Sequence, residues 1–142
     1  MNAIPVALAY LARFARTELQ LRQYLRRKGF PHDEISAAVT YLQEHKFLND
    51  DSYARAYIES RIRRLDGPFK IKQLLVQKGI ASTAAQDLIR ALYPDEIQIQ
   101  NAKRLADLKR SKSREQTMRF IASRGYSRYV IMQALSEGGR PR

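Results

Sequence analysis

The chain has no cysteine. That excludes a disulfide framework, a thiol nucleophile and a cysteine zinc site. Its two histidines, His32 and His45, are too few for a metal cluster. His32 falls in a turn, and His45 follows Glu44 at a helix end, where a cation suits the dipole. The six glycines never form a G-x-G or GKS/T pattern, so no phosphate-cradling loop is present. No apolar run approaches the roughly 18 residues that span a bilayer. The first residues lack a charged n-region and a small-residue cleavage site, so a soluble cytoplasmic protein without membrane contact is expected. Carboxylates are few, 14 against 26 lysines and arginines, and most sit at helix starts. Ser82, Ser113 and Ser127 are better explained as helix caps than as nucleophiles. With no catalytic constellation, the expectation is a non-enzyme without cofactor or metal.

What is abundant is positive charge. The formal net charge is +12. Residues 1–50 carry 7 basic and 5 acidic side chains, residues 51–96 carry 8 and 6, and residues 97–142 carry 11 and 3. The last third therefore holds +8 of the +12. Such an excess, with a pI near 10.3, points to a nucleic-acid or nucleoprotein partner.

The chain also repeats itself. Leu25-Arg26-Arg27-Lys28-Gly29-Phe30, Leu75-Val76-Gln77-Lys78-Gly79-Ile80 and Ile121-Ala122-Ser123-Arg124-Gly125-Tyr126 share an aliphatic residue four before the glycine, a cation one before it and an apolar residue after it. Aligned on the glycines, Ile35, Ala85 and Ile131 coincide, as do Val39, Ile89 and Leu135. A unit of under about 50 residues is marginal alone and leans on its neighbours. Sustained period-2 alternation is absent, and the apolar spacing is helical throughout. The prediction is an all-α chain of three tandem three-helix repeats: residues 1–49, 50–93 and 94–142, the last ending in a basic tail from Gly138 onward. Helices two and three of each unit, joined by a glycine turn, form a helix-turn-helix-like pair.

Pro5 suits the first turn of a helix whose apolar face is Val6, Leu8, Leu11, Phe14 and Ala15. Thr17 with Gln20, and Ser113 with Gln116, are capping-box patterns. Gly29, Gly79 and Gly125 are expected as left-handed helix ends. Asp66-Gly67-Pro68 is a stop and restart. Asn49 or Asp50, Ser82 and Ser127 are expected to cap further helices. Ile97, Ile99, Ala102, Leu105 and Leu108 form the predicted face of the seventh. Tyr10, Phe14, Tyr53, Tyr57 and Phe120 are assigned to the core, and Phe30, Ile80 and Tyr126 are expected to clamp helix two onto helix three.

The candidate contacts for polyanions are the basic clusters. They are Arg26, Arg27 and Lys28; Arg61, Arg63 and Arg64; Lys70, Lys72 and Lys78; Lys103, Arg104, Lys109 and Arg110, with Lys112 and Arg114 nearby; and Arg119 and Arg124. The run from Lys103 to Arg114 is too long for helix capping alone.

The stretch Phe47-Leu48-Asn49-Asp50-Asp51-Ser52-Tyr53-Ala54-Arg55-Ala56-Tyr57-Ile58-Glu59-Ser60-Arg61 resembles the central signature of the RecX family, regulators of the RecA recombinase. So does Gly67-Pro68-Phe69-Lys70-Ile71-Lys72-Gln73-Leu74-Leu75-Val76-Gln77-Lys78-Gly79-Ile80. Lys46 departs from the pattern, standing where the family often has glycine. The resemblance implies an elongated, curved body of three repeats. It implies a monomer that binds a RecA–single-stranded-DNA filament and suppresses its ATPase, recombinase and coprotease activities, modulating recombination, DNA repair and the SOS response. Weak, non-specific binding to free single- and double-stranded DNA is expected beside it. The alternative is a helix-turn-helix transcriptional regulator, for which Gln73 and Gln77 are the nearest approach to a recognition helix. A fragment of residues 1–96 is expected to keep its fold.

Overall fold

The computed structural model describes residues 2–136, so the basic tail from Gly138 onward lies outside the described residues. Those residues form nine helices and no strand: α1 (Ala3–Arg13), α2 (Glu18–Arg27), α3 (His32–Glu44), α4 (Asp50–Arg63), α5 (Pro68–Gln77), α6 (Ser82–Leu92), α7 (Asp95–Leu108), α8 (Arg114–Ser123) and α9 (Arg128–Ser136). They group as three triplets, as the repeat requires.

Local chemistry sets the helix starts. Thr17 and Ser113 each accept the backbone N–H of the third helical residue, Gln20 or Gln116, and donate their own backbone N–H to that glutamine's Oε1 in return. Asn49, not Asp50, caps α4 by accepting the Ser52 N–H at 3.0 Å. Pro68 occupies the first turn of α5, where it costs no hydrogen bond. Ser127 caps α9 through the Val130 N–H. Ser82 does not cap: it is already the first helical residue, Ala81 precedes it, and no side chain caps the end.

The helix ends are equally regular. Gly29, Gly79 and Gly125 have φ of 94°, 101° and 100°. Lys46 and Leu65 adopt the same left-handed conformation, at φ 64° and 66°, without the freedom of glycine. Each closes a pair of reverse hydrogen bonds, such as Phe47 N–H to Leu42 O at 2.8 Å and Asp66 N–H to Arg61 O at 3.0 Å.

Burial corrects two predicted faces. In α1 the buried residues are Ala3 and Ala7, whereas Phe14 is 62% exposed and Ala15 is exposed. Small side chains let α1 lie close against α2 and α3, and Phe14 falls beyond the helix end. In α7 the buried positions are Gln98, Asn101, Ala102 and Leu105, whereas Leu108 is exposed and Ile97 faces out. The polar pair is recruited by Tyr93, as set out below. Phe30, Ile80 and Tyr126 are buried after their glycines, as expected.

The core is divided unequally. Ala3 through Leu48 form one apolar cluster belonging to the first triplet. Residues of the second and third triplets, from Ala54 to Leu135, form a single continuous cluster. A cut at residue 96 would strip Ala102, Leu105, Ile121 and Val130 from that shared core. Against the expectation that residues 1–96 keep their fold, such a cut would open the core that the second triplet shares with the third, while leaving the cluster of the first triplet whole.

Candidate nucleic-acid interface

The triplets are joined in a common register. The turn that ends the middle helix of one triplet sits on the start of the middle helix in the preceding triplet. At the first joint the Thr17 hydroxyl donates to Lys78 O at 2.5 Å, and the Glu18 N–H donates to the Asp50 carboxylate at 2.8 Å. Burial pushes the Asp50 carboxyl above its ordinary pKa, against the opposing effect of that N–H. At the second joint the Gly67 N–H donates to Arg124 O at 2.7 Å, and the Phe69 N–H to Gly125 O at 3.0 Å. Close approach is part of both joints. A Cβ on Gly79 would lie 2.5 Å from Leu19 Cβ, and one on Gly125 would lie 2.6 Å from the Lys70 N. A Cβ on Gly67 would strike the Gly125 backbone.

The second joint carries a buried polar network. The Tyr93 hydroxyl donates to Asp66 O at 2.8 Å and lies 2.8 Å from the Tyr126 hydroxyl. Asn101 Nδ2 donates to Tyr93 Oη and to Ile62 O, each at 3.1 Å, and Tyr126 Oη donates to Leu65 O at 2.9 Å. Gln98 Nε2 satisfies Tyr93 O at 2.8 Å. This is why two polar residues occupy buried positions on α7. Burial pushes both phenols above the usual tyrosine pKa, Tyr126 strongly so, and both are neutral at neutral pH.

The Asp66 carboxylate, 2% exposed, gathers three of the candidate cations. Arg61 Nε lies 2.6 Å from Oδ2 as an ion pair, Arg124 Nη2 donates to Oδ1 at 3.1 Å, and Lys70 Nζ lies at 3.5 Å. Arg124 also donates to Arg64 O at 2.7 Å. Of the three, Arg124 crosses the second joint, while Arg61 and Lys70 fix Asp66 within its own triplet. The sequence reading of Asp66 as a helix stop missed this role. Its signal was cations five before and four after it, beside Gly67-Pro68.

The other candidates face outward in separate groups. Arg26, Arg27 and Lys28 are exposed at the Gly29 turn, with Lys28 Nζ 5.5 Å from the Tyr24 ring centre. Arg63 and Arg64 are exposed at the end of α4. Lys72 donates to Gln86 Oε1 at 2.5 Å, and Lys78 stands 5.3 Å over the Tyr57 ring. Lys103, Lys109 and Arg110, with Lys112 and Arg114, line one cleft of about 680 Å³ in the third triplet. Among the described residues Asp107 is the only carboxylate lining it. Arg104 and Arg119 are exposed but do not line it. Gln73 and Gln77 are exposed on α5, on either side of Val76.

Of the aromatics assigned to the core, Tyr53 belongs to an open surface, and Tyr57 packs against the core at the edge of that surface. Tyr53 and Tyr57 on α4 are half-buried with parallel rings 6.1 Å apart, beside Phe47, which is 56% exposed. Among the described residues no group of three or more histidines and carboxylates is placed to hold a metal ion, and no helix is long and apolar enough to cross a membrane.

Fold and surface define a tandem three-helix-repeat protein with cationic turns and a cationic cleft. Known proteins share that plan. The first three-helix domain of RecX matches residues 3–42, and the second matches residues 49–89. The chain belongs to the RecX family. It is 26% identical over 132 residues to the regulatory protein RecX of Caldanaerobacter subterraneus, covering 92% of this chain and 67% of that protein. It is 33% identical over 131 residues to the regulatory protein RecX of Clostridium perfringens strain SM101, covering 85% of this chain and 61% of that protein. The chain thus spans about three-fifths to two-thirds of the length of these relatives. The crystal structure of RecX from Lactobacillus salivarius superposes with a TM-score of 0.86 at 27% identity, covering 95% of this chain and 93% of that one.

Proposed function

We propose that this chain binds a RecA–single-stranded-DNA filament and inhibits ATP hydrolysis, strand exchange and coprotease activity by occupancy. The observation that carries the reading is the common register of the triplets. A helical repeat is suited to an extended, repeating partner, and each triplet here adds exposed cations to the same body. The middle helices are 10 residues each, about 15 Å long, so three stacked units reach across several tens of Å. Contacts spread over three units act multivalently, each weak and the whole tight. The relatives' shared designation as regulatory proteins supports a binding role.

The test is RecA ATPase on single-stranded DNA, titrated with the whole chain and with a variant in which Lys103, Arg104, Lys109 and Arg110 are all changed to Gln. Hydrolysis is expected to fall with the native chain, without added nucleotide or metal beyond what RecA itself needs. The variant is expected to inhibit less and to show a shallower salt dependence on free DNA, because each phosphate contact releases counterions. Unchanged hydrolysis at saturating protein would refute the reading.

A further inference from the structure

A second surface feature lies at the first joint, away from the cationic cleft in sequence and separate from it in lining. The end of α1, the α3–α4 link and α4 enclose an open concavity of about 720 Å³. Its aromatic wall is Phe47, Tyr53 and Tyr57, and its cations are Arg16 and Lys46. None of its lining residues is a carboxylate. Phe47 is set there by Lys46, whose left-handed conformation turns the chain out of α3. Leu42 and Leu48 fill the core on either side of it, so Phe47 is left with its ring in water.

Arg16 is the second observation. Its guanidinium lies 5.3 Å from the Tyr10 ring centre and 5.1 Å from that of Phe14. Its Nε is buried and has no hydrogen-bond partner. Arg16 also lines the concavity, and its guanidinium carries further N–H donors of the kind that a phosphate or carboxylate oxygen accepts from.

The combination selects one kind of ligand. An exposed Phe47 ring and a half-buried Tyr53 ring next to two cations, with no carboxylate among the described lining residues, match a molecule offering flat π-faces on an anionic backbone. A duplex hides its base faces in the stack. An aliphatic protein segment would cover the rings but leave the cations without anions. We propose that this concavity is a stacking site for unpaired bases of single-stranded nucleic acid, with Phe47 and Tyr53 as the platform and Arg16 and Lys46 meeting the phosphates. It deepens the nucleoprotein reading by naming where bases are held. It rests on the concavity and not on any contact with RecA.

The experiment uses the whole chain, no RecA, and a thymidine oligonucleotide carrying one 2-aminopurine. Stacking on an aromatic ring quenches that probe. The native chain is expected to quench it, and Phe47→Ala is expected to remove most of the quench and weaken single-strand binding by roughly 5- to 100-fold, the range for one lost base–aromatic stack. Binding to a duplex of the same length should stay within about twofold. Phe47→Leu keeps apolar area without a ring and should behave like Phe47→Ala. The variant with Lys103, Arg104, Lys109 and Arg110 changed to Gln should lose affinity but retain the quench per bound chain. Because Phe47 is largely exposed, circular dichroism should be unchanged in its variants. The proposal is overturned if the native chain gives no quench, if Phe47→Leu quenches like the native chain, or if single-strand and duplex binding fall together. It is also overturned if Phe47→Ala binds the oligonucleotide normally but no longer inhibits RecA, since the concavity would then be a protein-docking surface. Failure of the RecA reading alone would leave the quench intact.

Discussion

At the scale of the residue, Asp66 has the largest expected effect. It is one buried carboxylate facing three cations, and removing one member of such a set leaves the others uncompensated. Asp66→Asn is expected to lower stability by about 3 kcal/mol or more in urea unfolding. A loss below about 1 kcal/mol would show that solvent screens the cluster. Tyr126 gives a pH dependence. Its folded pKa lies above the unfolded value of about 10, so its contribution is fully present below pH 10 and is lost as pH rises beyond it. The native chain should therefore lose stability between about pH 10 and 12, and Tyr126→Phe should flatten that alkaline limb. An unaltered limb in the variant would assign the loss to other groups. The local cations Arg61 and Lys70 signalled part of the Asp66 cluster, but Arg124 and the partners of Tyr126 were not legible from sequence, because they lie 33 to 61 residues away. By contrast, the departure at Lys46 was legible: glycine is the residue that a φ of 64° favours, and lysine holds the conformation at a cost of about 1 kcal/mol.

At the scale of the element, the three turn glycines look alike in sequence and have different neighbours. All have positive φ, but Gly29 has nothing within 4 Å of a built Cβ, whereas Gly79 meets Leu19 and Gly125 meets Lys70. Gly29→Ala should cost about 1 kcal/mol, the strain of a left-handed alanine. Gly79→Ala should cost that amount and a further 1–3 kcal/mol for overpacking at the joint. Thermal unfolding of the two variants measures the difference, and equal shifts would mean that the Leu19 contact relaxes freely. Periodicity and turn chemistry revealed the helices and their left-handed ends, because those are local properties. They misjudged α1 and α7, where the partner helix decides the face. Ala3 and Ala7 are buried by close packing, and Gln98 and Asn101 by the needs of Tyr93.

At the scale of the molecule, the triplets are not equivalent neighbours. The first has its own core and meets the second largely through polar groups, while the second and third share one core and the Asp66–Tyr93 network. Native-state hydrogen exchange should therefore show two cooperative blocks. Leu21→Ala should speed exchange in residues 3–48 and leave residues 54–135 nearly unchanged, whereas Leu105→Ala should speed exchange throughout the second and third triplets. Uniform acceleration by Leu21→Ala would make the chain a single unit. The repeat in the sequence predicted three similar modules, and their number is right. Unequal coupling was hidden, because it depends on which side chains cross each joint. For the candidate interface, the sequence revealed the cleft cations. It hid the fact that Arg61, Lys70 and Arg124 are turned inward to Asp66, and that Phe47 and Tyr53 line an open concavity.

The turn-on-cap joint gives the stack a head and a tail. Thr17 and Gly67 each receive a following turn, whereas Ser113, the corresponding cap in the third triplet, is exposed, and at the opposite side no described residue comes within 4 Å of where a Cβ on Gly29 would stand. A head-to-tail surface of this kind is open by symmetry, so copies could in principle add without limit. The charges oppose that. One face carries Arg26, Arg27 and Lys28, and the other is bordered by Lys109, Arg110, Lys112 and Arg114, so a copy adding in register would press cation on cation. That repulsion would oppose the addition of a further copy at either face. Sedimentation at low salt should show a monomer, and self-association should appear, if anywhere, only as salt screens the two faces or an anion bridges them.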